Sequence, residues 1–170
     1  MLIRQALTSD LDGLCRIAAE MGTTHEPKYF EHCLAEQQDQ KRILLVAENS
    51  GRLIGYVQLI WQPLYQNFKT MGIPEIQDLN VIPEARRQGV GGRLAAAGEA
   101  LARQAGKTAV GIGVGLHSRY GAAQRLYVRR GYIPDGAGVC YDDVAVRAHD
   151  LRPIDDLLTL KLIKNLRKTS

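Results

Sequence analysis

The stretch that most constrains the fold of this chain is a glycine-rich turn, Arg86-Arg87-Gln88-Gly89-Val90-Gly91-Gly92. It joins a strand-like apolar run, Glu75–Val81, to a helix-like run over residues 91–104. Glycine lets the backbone adopt positive φ angles, and the first amides of a helix lack internal partners and carry the positive end of its dipole. The turn is therefore predicted to bind an anionic group such as a phosphate.

Two well-known phosphate loops do not fit this turn. A Walker A loop needs Lys and then Ser or Thr after its last glycine, but Gly92 is followed by Arg93. A dinucleotide fingerprint needs a third glycine at the position of Leu94. The spacing that remains is Arg/Gln-x-x-Gly-x-Gly/Ala, which residues 86–91 satisfy.

The length of 170 residues predicts a single domain, residues 1–170, with room for a proper hydrophobic core. A hydrophobic content of 45% and a charged content of 24% are those of a globular protein. No apolar run approaches the roughly 20 residues that a membrane span needs. The first residues resemble a strand and show no signal-peptide pattern. We therefore expect a cytoplasmic protein with one active site and no membrane partner.

The cysteines and histidines give no sign of a metal or disulfide framework. Cys15, Cys33 and Cys140 are odd in number, widely spaced and form no Cys-x-x-Cys pair. The four histidines have no metal-ligand spacing either. They are His25, His32, His117 and His149. We expect buried thiols and no metal cofactor.

The net charge of +4 and the pI near 9.0 raise the question of a nucleic-acid partner. Much of the excess lies in Arg86, Arg87 and Arg93 and in the tail over residues 161–168. An acidic cofactor explains the first cluster, and a solvated tail explains the second. Because no aromatic and basic residues interleave on one strand face, we do not expect a nucleic-acid partner.

Hydrophobic periodicity predicts elements in the order β-α-α-β-β-β-α-β-α-β-β, which is a mixed α/β domain. The strand-like runs cover residues 2–6, 43–48, 53–61, 75–81, 109–116, 139–146 and 156–163. The helices run from Thr8 or Ser9 to about 19, from about 28, over 91–104 and over 121–130. Asn49-Ser50-Gly51 predicts a hairpin turn between the second and third strands.

Two stretches have features of a ligand site. Residues 62–72 are too irregular for an element and are expected to form a loop that influences specificity. Three aromatic side chains in or beside this loop either line a substrate site or pack in the core. They are Trp61, Tyr65 and Phe68. On strand 109–116, Gly111, Gly113 and Gly115 share one face, which can accept a backbone or a ligand at close range.

A second motif lies on the predicted helix 121–130 and the turn after it. Its residues, Ala122-Ala123-Gln124-Arg125-Leu126-Tyr127-Val128-Arg129-Arg130-Gly131-Tyr132, are similar to the pattern Asn-x-x-Ala-x-x-Leu-Tyr-x-x-x-Gly-Phe. That pattern belongs to the GNAT superfamily of acyl-CoA-dependent N-acetyltransferases, and the glycine-rich turn resembles its pyrophosphate loop. Residues 73–133 carry the whole resemblance. One departure is Tyr120, which stands where the pattern usually has an asparagine that contacts the cofactor.

The resemblance implies a GNAT fold, with a mixed, mostly antiparallel sheet of about seven strands and about four helices. The two central strands, Glu75–Val81 and 109–116, would splay apart. The pantetheine of acetyl-CoA would lie in the gap and bond to main-chain groups of Leu79 and Val81. The groups expected to hold the pyrophosphate are the side chains of Arg86 and Arg87 and the amides of Gln88, Gly89, Val90, Gly91 and Gly92.

Acetyl transfer from a thioester to an amine needs a neutral nucleophile and a stabilised leaving thiolate. Tyr127 stands at the position of the family's helix tyrosine and is the candidate donor to the coenzyme A sulfur, with core packing as its alternative role. Glu75 and Asp78 are the candidates for deprotonating the amine, directly or through water. Strand parity does not choose between them, because the family has a bulge here. A salt bridge is the alternative role of each, and His117 is a candidate proton shuttle.

The sequence therefore predicts an acetyltransferase that passes the acetyl group of acetyl-CoA directly to a primary amine, without a metal. The expected acceptor is a small molecule, such as an amino acid, a polyamine or an aminoglycoside. The alternatives are an acetyltransferase for a protein N-terminus or lysine, and a non-catalytic acyl-CoA-binding regulator. The closing strands could form a homodimer edge, as they do in many members of the family.

Overall fold

A computed structural model describes residues 1–23 and 26–167, and this part of the chain contains eight strands and five α-helices. His25 and the last residues of the basic tail lie outside it. The strands are β1 (Leu2–Gln5), β2 (Arg42–Asn49), β3 (Arg52–Ile60), β4 (Glu75–Val81), β5 (Ala109–Gly115), β6 (Ile133–Tyr141), β7 (Val144–Ala145) and β8 (Leu158–Asn165). The helices are α1 (Leu11–Met21), α2 (Pro27–Gln38), α3 (Gln66–Met71), α4 (Val90–Gln104) and α5 (Gly121–Arg129).

Residues 1–61 and 76–101 pack as one compact unit. Its strands follow the order β1-β2-β3-β4, and β2 is antiparallel to both β1 and β3. The β2–β3 turn holds Ser50 and Gly51 at φ angles of 50° and 77°, which a two-residue type I′ hairpin requires. The hairpin predicted from the turn residues is therefore confirmed.

The helices α1 and α2 cover the β2–β3 part of this unit. Apolar residues at helical spacing, including Leu14, Ile17 and Phe30, are fully buried, as the 3.6-residue period predicts. At the edge, the guanidinium of Arg4 in β1 binds the carboxylate of Asp10 at 2.7 Å, just before α1 begins. This hydrogen bond is the main reason why the pKa of Asp10 is lowered.

Residues 62–75 and 102–167 pack as the second compact unit. Its strands follow the order β5-β8-β6-β7, with antiparallel pairing between each pair of neighbours. A buried cluster of Tyr65, Phe68 and Cys140 forms part of its core. The mostly antiparallel pairing and the mixed α/β class agree with the sequence prediction, although eight strands and five helices replace about seven and about four.

The additional helix is α3, and the prediction that residues 62–72 contain no element was wrong. The helix has only six residues, too few to show a helical period in the sequence. It ends at Gly72, which caps it in the left-handed conformation at φ 64°. Phe68 buries its ring in the core of the unit and holds the helix in place.

The closing strands also differ from the predicted runs 139–146 and 156–163. The chain reverses at Asp142 and Asp143, which have φ angles of 49° and 61° and separate β6 from the short β7. Two aspartates at positive φ carry a weaker turn signal than Asn-Gly, so the predicted run continued through them. This reversal divides the predicted run 139–146 between β6 and β7, which gives eight strands instead of seven.

The glycine face of β5 receives side chains of the chain itself. A Cβ at Gly111 would lie 2.2 Å from the Phe68 ring, and a Cβ at Gly115 would lie 2.3 Å from the Tyr120 ring. At Gly113 the nearest atom is the Lys161 Nζ, at 3.3 Å. The sequence predicted a close approach by a backbone or a ligand, but two aromatic rings and a lysine of the chain itself make this approach.

Among residues 1–23 and 26–167, no helix combines the length and the apolar composition that crossing a membrane requires.

Replacement of Gly111 with Ala should destabilise the protein, because the new methyl group would overlap the buried Phe68 ring. Overpacking of this kind costs about 1–3 kcal/mol, measurable by urea denaturation. The matched control is Gly121→Ala, at the start of α5, where a Cβ meets only the Arg125 side chain at 3.7 Å. Equal stabilities for the two variants would contradict the tight packing of Phe68 on β5.

Candidate active site

The glycine-rich turn forms an exposed loop that leads into α4. Residues 86–89 are exposed, and Arg87 and Gly89 have positive φ angles of 59° and 80°. The helix begins at Val90, and the amide of Arg93 bonds to the carbonyl of Gly89 at 3.0 Å. The amides before it have no acceptor within the helix and carry the positive end of its dipole. A Cβ on Gly89 would meet nothing within 4 Å, so the turn has the open space that a phosphate needs.

Side chains near the turn brace it. Arg86 Nε donates to the carbonyl of Val81 at the end of β4, at 3.1 Å, and Gln88 Nε2 donates to a carbonyl of the preceding 3₁₀ turn at 2.7 Å. A guanidinium has five donors, so the bond to Val81 leaves others for a phosphate. The phosphate contacts of Arg86 and Arg87 and the main-chain contacts of Leu79 and Val81 stay predictions.

Asp78 lies inside β4 at φ 51°, a left-handed conformation that Asp tolerates better than most residues. Such a residue interrupts the alternation of a strand, as a β-bulge does. Its Oδ2 accepts hydrogen bonds from the Tyr29 hydroxyl of α2 and from Gln58 Nε2 of β3, the latter at 2.8 Å. Burial and then the charge of Asp78 raise the pKa of Tyr29, so this hydroxyl remains a donor.

Glu75, at the start of β4, is fully buried and forms an ion pair with Lys161 of β8, with 2.8 Å between Oε1 and Nζ. The same Nζ is 2.5 Å from Oδ1 of Asp143 and lies 5.2 Å from the centroid of the Tyr65 ring. Burial acts to lower the pKa of Lys161, but the two carboxylates outweigh it, so the pKa is raised. Glu75, Lys161 and the partly exposed Asp143 therefore form a charged triad of two carboxylates and one ammonium.

Tyr127 lies in α5 and is 5% exposed. Its ring centroid is 5.9 Å from that of Tyr132. Burial, and after it the nearby Tyr120, raise the pKa of Tyr127, so the phenol carries its proton at neutral pH. A proton donor to a leaving thiolate must be in this state.

Tyr120, which replaces the family's usual asparagine, packs its ring over Gly115. Its hydroxyl donates to Oδ1 of Asp156 at 3.1 Å, and His117 Nε2 lies 2.9 Å from the same oxygen. The hydrogen bond from His117 is the main reason why the pKa of Asp156 is lowered. The role of His117 as a proton shuttle stays a prediction, and the contact with Asp156 orients its ring.

The sequence did not reveal three partners of the predicted residues, namely Tyr29, Gln58 and Lys161. Gln58 is the one polar residue of the run Tyr-Val-Gln-Leu-Ile, and Lys161 is the one charge in Leu-Thr-Leu-Lys-Leu-Ile. A lone polar residue in a buried strand must find a partner, and this was the available signal. Of the aromatic residues considered for a substrate site, Tyr65 and Phe68 are buried in the core of the second unit, which is the packing alternative.

No group of three or more His, Cys, Asp or Glu side chains that could hold a metal ion occurs in the described part of the chain.

The chain matches the family model described as acetyltransferase (GNAT) family over residues 10–132, a range that includes both motifs. It is 34% identical over 107 residues to the uncharacterized N-acetyltransferase YhfO of Bacillus subtilis (strain 168), covering 63% of this chain and 69% of that protein. It is 29% identical over 132 residues to the aminoalkylphosphonate N-acetyltransferase of Salmonella typhimurium (strain LT2), covering 76% of this chain and 83% of that protein.

Among solved structures, the fold is similar to that of yncA from Salmonella typhimurium, which was solved with its cofactor acetyl-CoA. The TM-score is 0.71 at 20% sequence identity, and the match covers 100% of this chain and 96% of that chain. A likeness at this level of identity shows a shared fold. It confirms the GNAT fold that the two motifs predicted.

Replacement of Lys161 with Met should strongly destabilise the protein, because Glu75 would remain buried without its ammonium partner. Loss of one member of a buried pair costs about 3–5 kcal/mol, measurable by urea denaturation at neutral pH. The double variant Glu75→Gln/Lys161→Met should recover part of this loss, because the fully buried carboxylate is then gone and only the more exposed Asp143 has lost its ammonium partner. The control is Lys41→Met, whose exposed pair with Asp39 should leave stability unchanged. A K161M variant as stable as K41M would show that the pair does not carry this energy.

Proposed function

The chain belongs to the GNAT family of acetyltransferases and is an N-acetyltransferase that uses acetyl-CoA, and from this premise we propose that its acceptor is the primary amine of a small molecule. The choice of acceptor rests on the sequence similarity, over 76% of this chain, to an N-acetyltransferase that is named for aminoalkylphosphonates. Action in the cytoplasm and a homodimer through the closing strands remain part of the proposal.

The glycine-rich turn binds the pyrophosphate of acetyl-CoA in this proposal. The exposed residues Gln88 and Gly89, the start of α4 at Val90 and the open space at Gly89 support it, because they offer amide donors and the dipole of α4 without a side chain in the way. Arg86 and Arg87 add positive charge. Main-chain groups of Leu79 and Val81 would bind the pantetheine arm, and acetyl-CoA itself supplies the acetyl group as an activated thioester.

Asp78 accepts the proton of the acceptor ammonium in this proposal, directly or through a water. The burial and the hydrogen-bond partners of Asp78 favour it over Glu75 as the base. Asp78 is half-buried and is bonded by the neutral groups of Tyr29 and Gln58, so these contacts do not cancel its charge. Glu75 is fully buried and already compensates Lys161. Glu75 is then a structural residue, and its replacement would lower the stability of the protein more than the rate of amine acetylation.

Tyr127 donates a proton to the sulfur of the leaving thiolate in this proposal. Its position at the helix tyrosine of the motif supports the role. Burial raises the pKa of Tyr127, so the phenol keeps its proton at neutral pH and its hydroxyl can donate a hydrogen bond to the sulfur. The side chain of Tyr127 is buried as a whole, with 5% of the residue exposed. The reaction then needs a base for the amine and an acid for the sulfur, and Asp78 and Tyr127 supply them.

A mass-spectrometric screen tests the proposed function. The protein is incubated with acetyl-CoA and a panel of aminoalkylphosphonates, amino acids, polyamines, aminoglycosides and short peptides, and the readout is a gain of one acetyl group. Acetylation of one class of small amine is expected. Acetylation of the peptides alone would favour a protein acceptor, and bound acetyl-CoA without any transfer would favour a regulator that only binds it.

Tyr127→Phe serves as the chemical control for the same screen. The phenyl ring keeps the packing of the buried side chain but has no proton to donate. Turnover of the best amine should fall while the affinity for acetyl-CoA stays unchanged, because the hydroxyl acts on the leaving group. Full turnover in the variant would exclude Tyr127 as the proton donor.

Replacement of Gly89 with Val should abolish acetyl-CoA binding, because the turn needs a positive φ and the side chain would fill the phosphate space. The measurement is isothermal titration calorimetry with acetyl-CoA. The matched control is Gly106→Val, at φ 75° and equally open, which carries the same backbone strain away from the turn. Similar stability losses are expected, with binding lost in G89V alone. Retained binding in G89V would refute the assignment of the turn.

A further inference from the structure

We propose that Gln58 and Arg42 are positioning residues that orient the carboxylate of Asp78 for the acceptor amine. The proposal rests on the function proposed above, because it concerns how Asp78 is held for that reaction. It assigns to two strand residues, the buried Gln58 and the partly exposed Arg42, a role in the amine half of the reaction and none in acetyl-CoA binding. Neither residue is expected to touch the substrate.

Gln58 is the direct support of Asp78. It lies in β3 with no exposed surface, and its amide nitrogen has two donor bonds. One goes to Asp78 Oδ2 at 2.8 Å, and the other goes to the Tyr29 hydroxyl at 2.7 Å. Tyr29 in turn donates to the same Asp78 oxygen. The two donors and the carboxylate therefore form a closed triangle that holds one oxygen of Asp78.

Arg42 decides which end of the Gln58 amide faces Asp78. Its Nη1 donates to Gln58 Oε1 at 2.5 Å. A guanidinium has only donors, and an ionised carboxylate has only acceptors. A flipped amide would place an oxygen against the carboxylate and an NH₂ group against the guanidinium, and both contacts would be repulsive. Arg42 thus selects the amide orientation in which Gln58 can donate to Asp78.

Arg42 is itself held from the α2 side. Its guanidinium forms an ion pair with Glu36, and its Nη1 also lies 3.3 Å from Cys33 Sγ. Its side chain is 14% exposed, so the bond to Gln58 is largely shielded from water. A chain of polar contacts therefore leads from Glu36 on α2 through Arg42 and Gln58 to Asp78. Each member is a side chain of the first compact unit.

The aromatic rings beside Tyr29 hold its hydroxyl on the carboxylate. The rings of Tyr29 and Phe30 meet edge to face at a centroid distance of 5.3 Å, and Phe30 meets Tyr56 in the same way at 5.4 Å. Phe30 and Tyr56 are fully buried. The stack limits the rotation of the Tyr29 ring, so the second donor to Asp78 is also oriented.

This kind of support suits a carboxylate that receives a cationic amine. Tyr29 and Gln58 are neutral, so their bonds orient Asp78 without cancelling its charge. A lysine or arginine in the same place would compete with the ammonium of the substrate. The left-handed backbone of Asp78, at φ 51°, is a strained feature of a type that clusters at functional sites.

A double-mutant cycle tests the proposal. The variants Gln58→Met, Arg42→Met and the double variant are compared with the wild type, using acetyl-CoA and the panel amine with the highest turnover. Each single change should lower kcat/KM for the amine by about ten- to a hundredfold, as for a misplaced catalytic group, and leave the Kd for acetyl-CoA unchanged. Because Arg42 acts through Gln58, the double variant should be no slower than Gln58→Met.

Losses that multiply in the double variant, or single variants with the kcat/KM of the wild type, would overturn the proposal. So would an equal loss of acetyl-CoA affinity, which indicates general damage to the fold. Circular dichroism melts identify the temperature at which every variant is fully folded. Arg42→Lys replaces Arg42→Met if the latter does not fold, because it keeps a cation for Glu36 but lacks the guanidinium fork. The matched control is Arg52→Met, whose more exposed pair with Glu20 should leave the kinetics unchanged.

Asp78→Asn separates this proposal from the proposed function. A wild type that acetylates no amine contradicts the proposed function and the proposal with it. A wild type that is active, together with a fully active D78N variant, leaves the reaction intact and overturns the proposal. An inactive D78N variant beside fully active Gln58 and Arg42 variants keeps the role of Asp78 and rejects the positioning residues.

Discussion

The three glycines that share one face of β5 are the constraint on which the second unit depends. Gly111, Gly113 and Gly115 leave that face bare, and the Phe68 ring, the Lys161 ammonium and the Tyr120 ring fill it. The core helix α3 can pack there only because Gly111 has no Cβ. The fit at Gly113 is less tight, since a Cβ there would lie 3.3 Å from the Lys161 Nζ and at an ordinary contact distance of 3.7 Å from the Glu75 carboxylate oxygen.

The two carboxylates of β4 illustrate how partners decide the use of a charged group. Glu75 is buried, and the ammonium of Lys161 compensates its negative charge. Asp78 is bonded by a phenol and an amide, two neutral groups that orient its carboxylate. Residue type and strand position are nearly the same in both cases. The difference in proposed role, structural for Glu75 and catalytic for Asp78, comes from the charge of the neighbours.

Local signals predicted well the features that depend on a few consecutive residues. The type I′ hairpin at Ser50-Gly51 and the entry from the glycine-rich turn into α4 are of this kind. The helix α3 was missed because six residues do not establish a period, and the reversal at Asp142-Asp143 was missed because aspartate pairs adopt that turn less readily than Asn-Gly. In each case a contact between residues distant in the sequence stabilises a feature that the local sequence favours only weakly. Phe68 of α3 packs on Gly111 of β5, and Asp143 of the reversal pairs with Lys161.

By itself the sequence determined the fold family and the place of the glycine-rich turn before α4, because positive φ at glycine and a helix start are properties of neighbouring residues. It also determined which groups could act as acid or base. Only the tertiary structure decided their partners. Lys161 and Glu75 are separated by 86 positions, and Gln58 and Asp78 by 20, so no local pattern joins them. Burial then made these contacts decisive, since a charge removed from water takes its properties from the groups that replace the water.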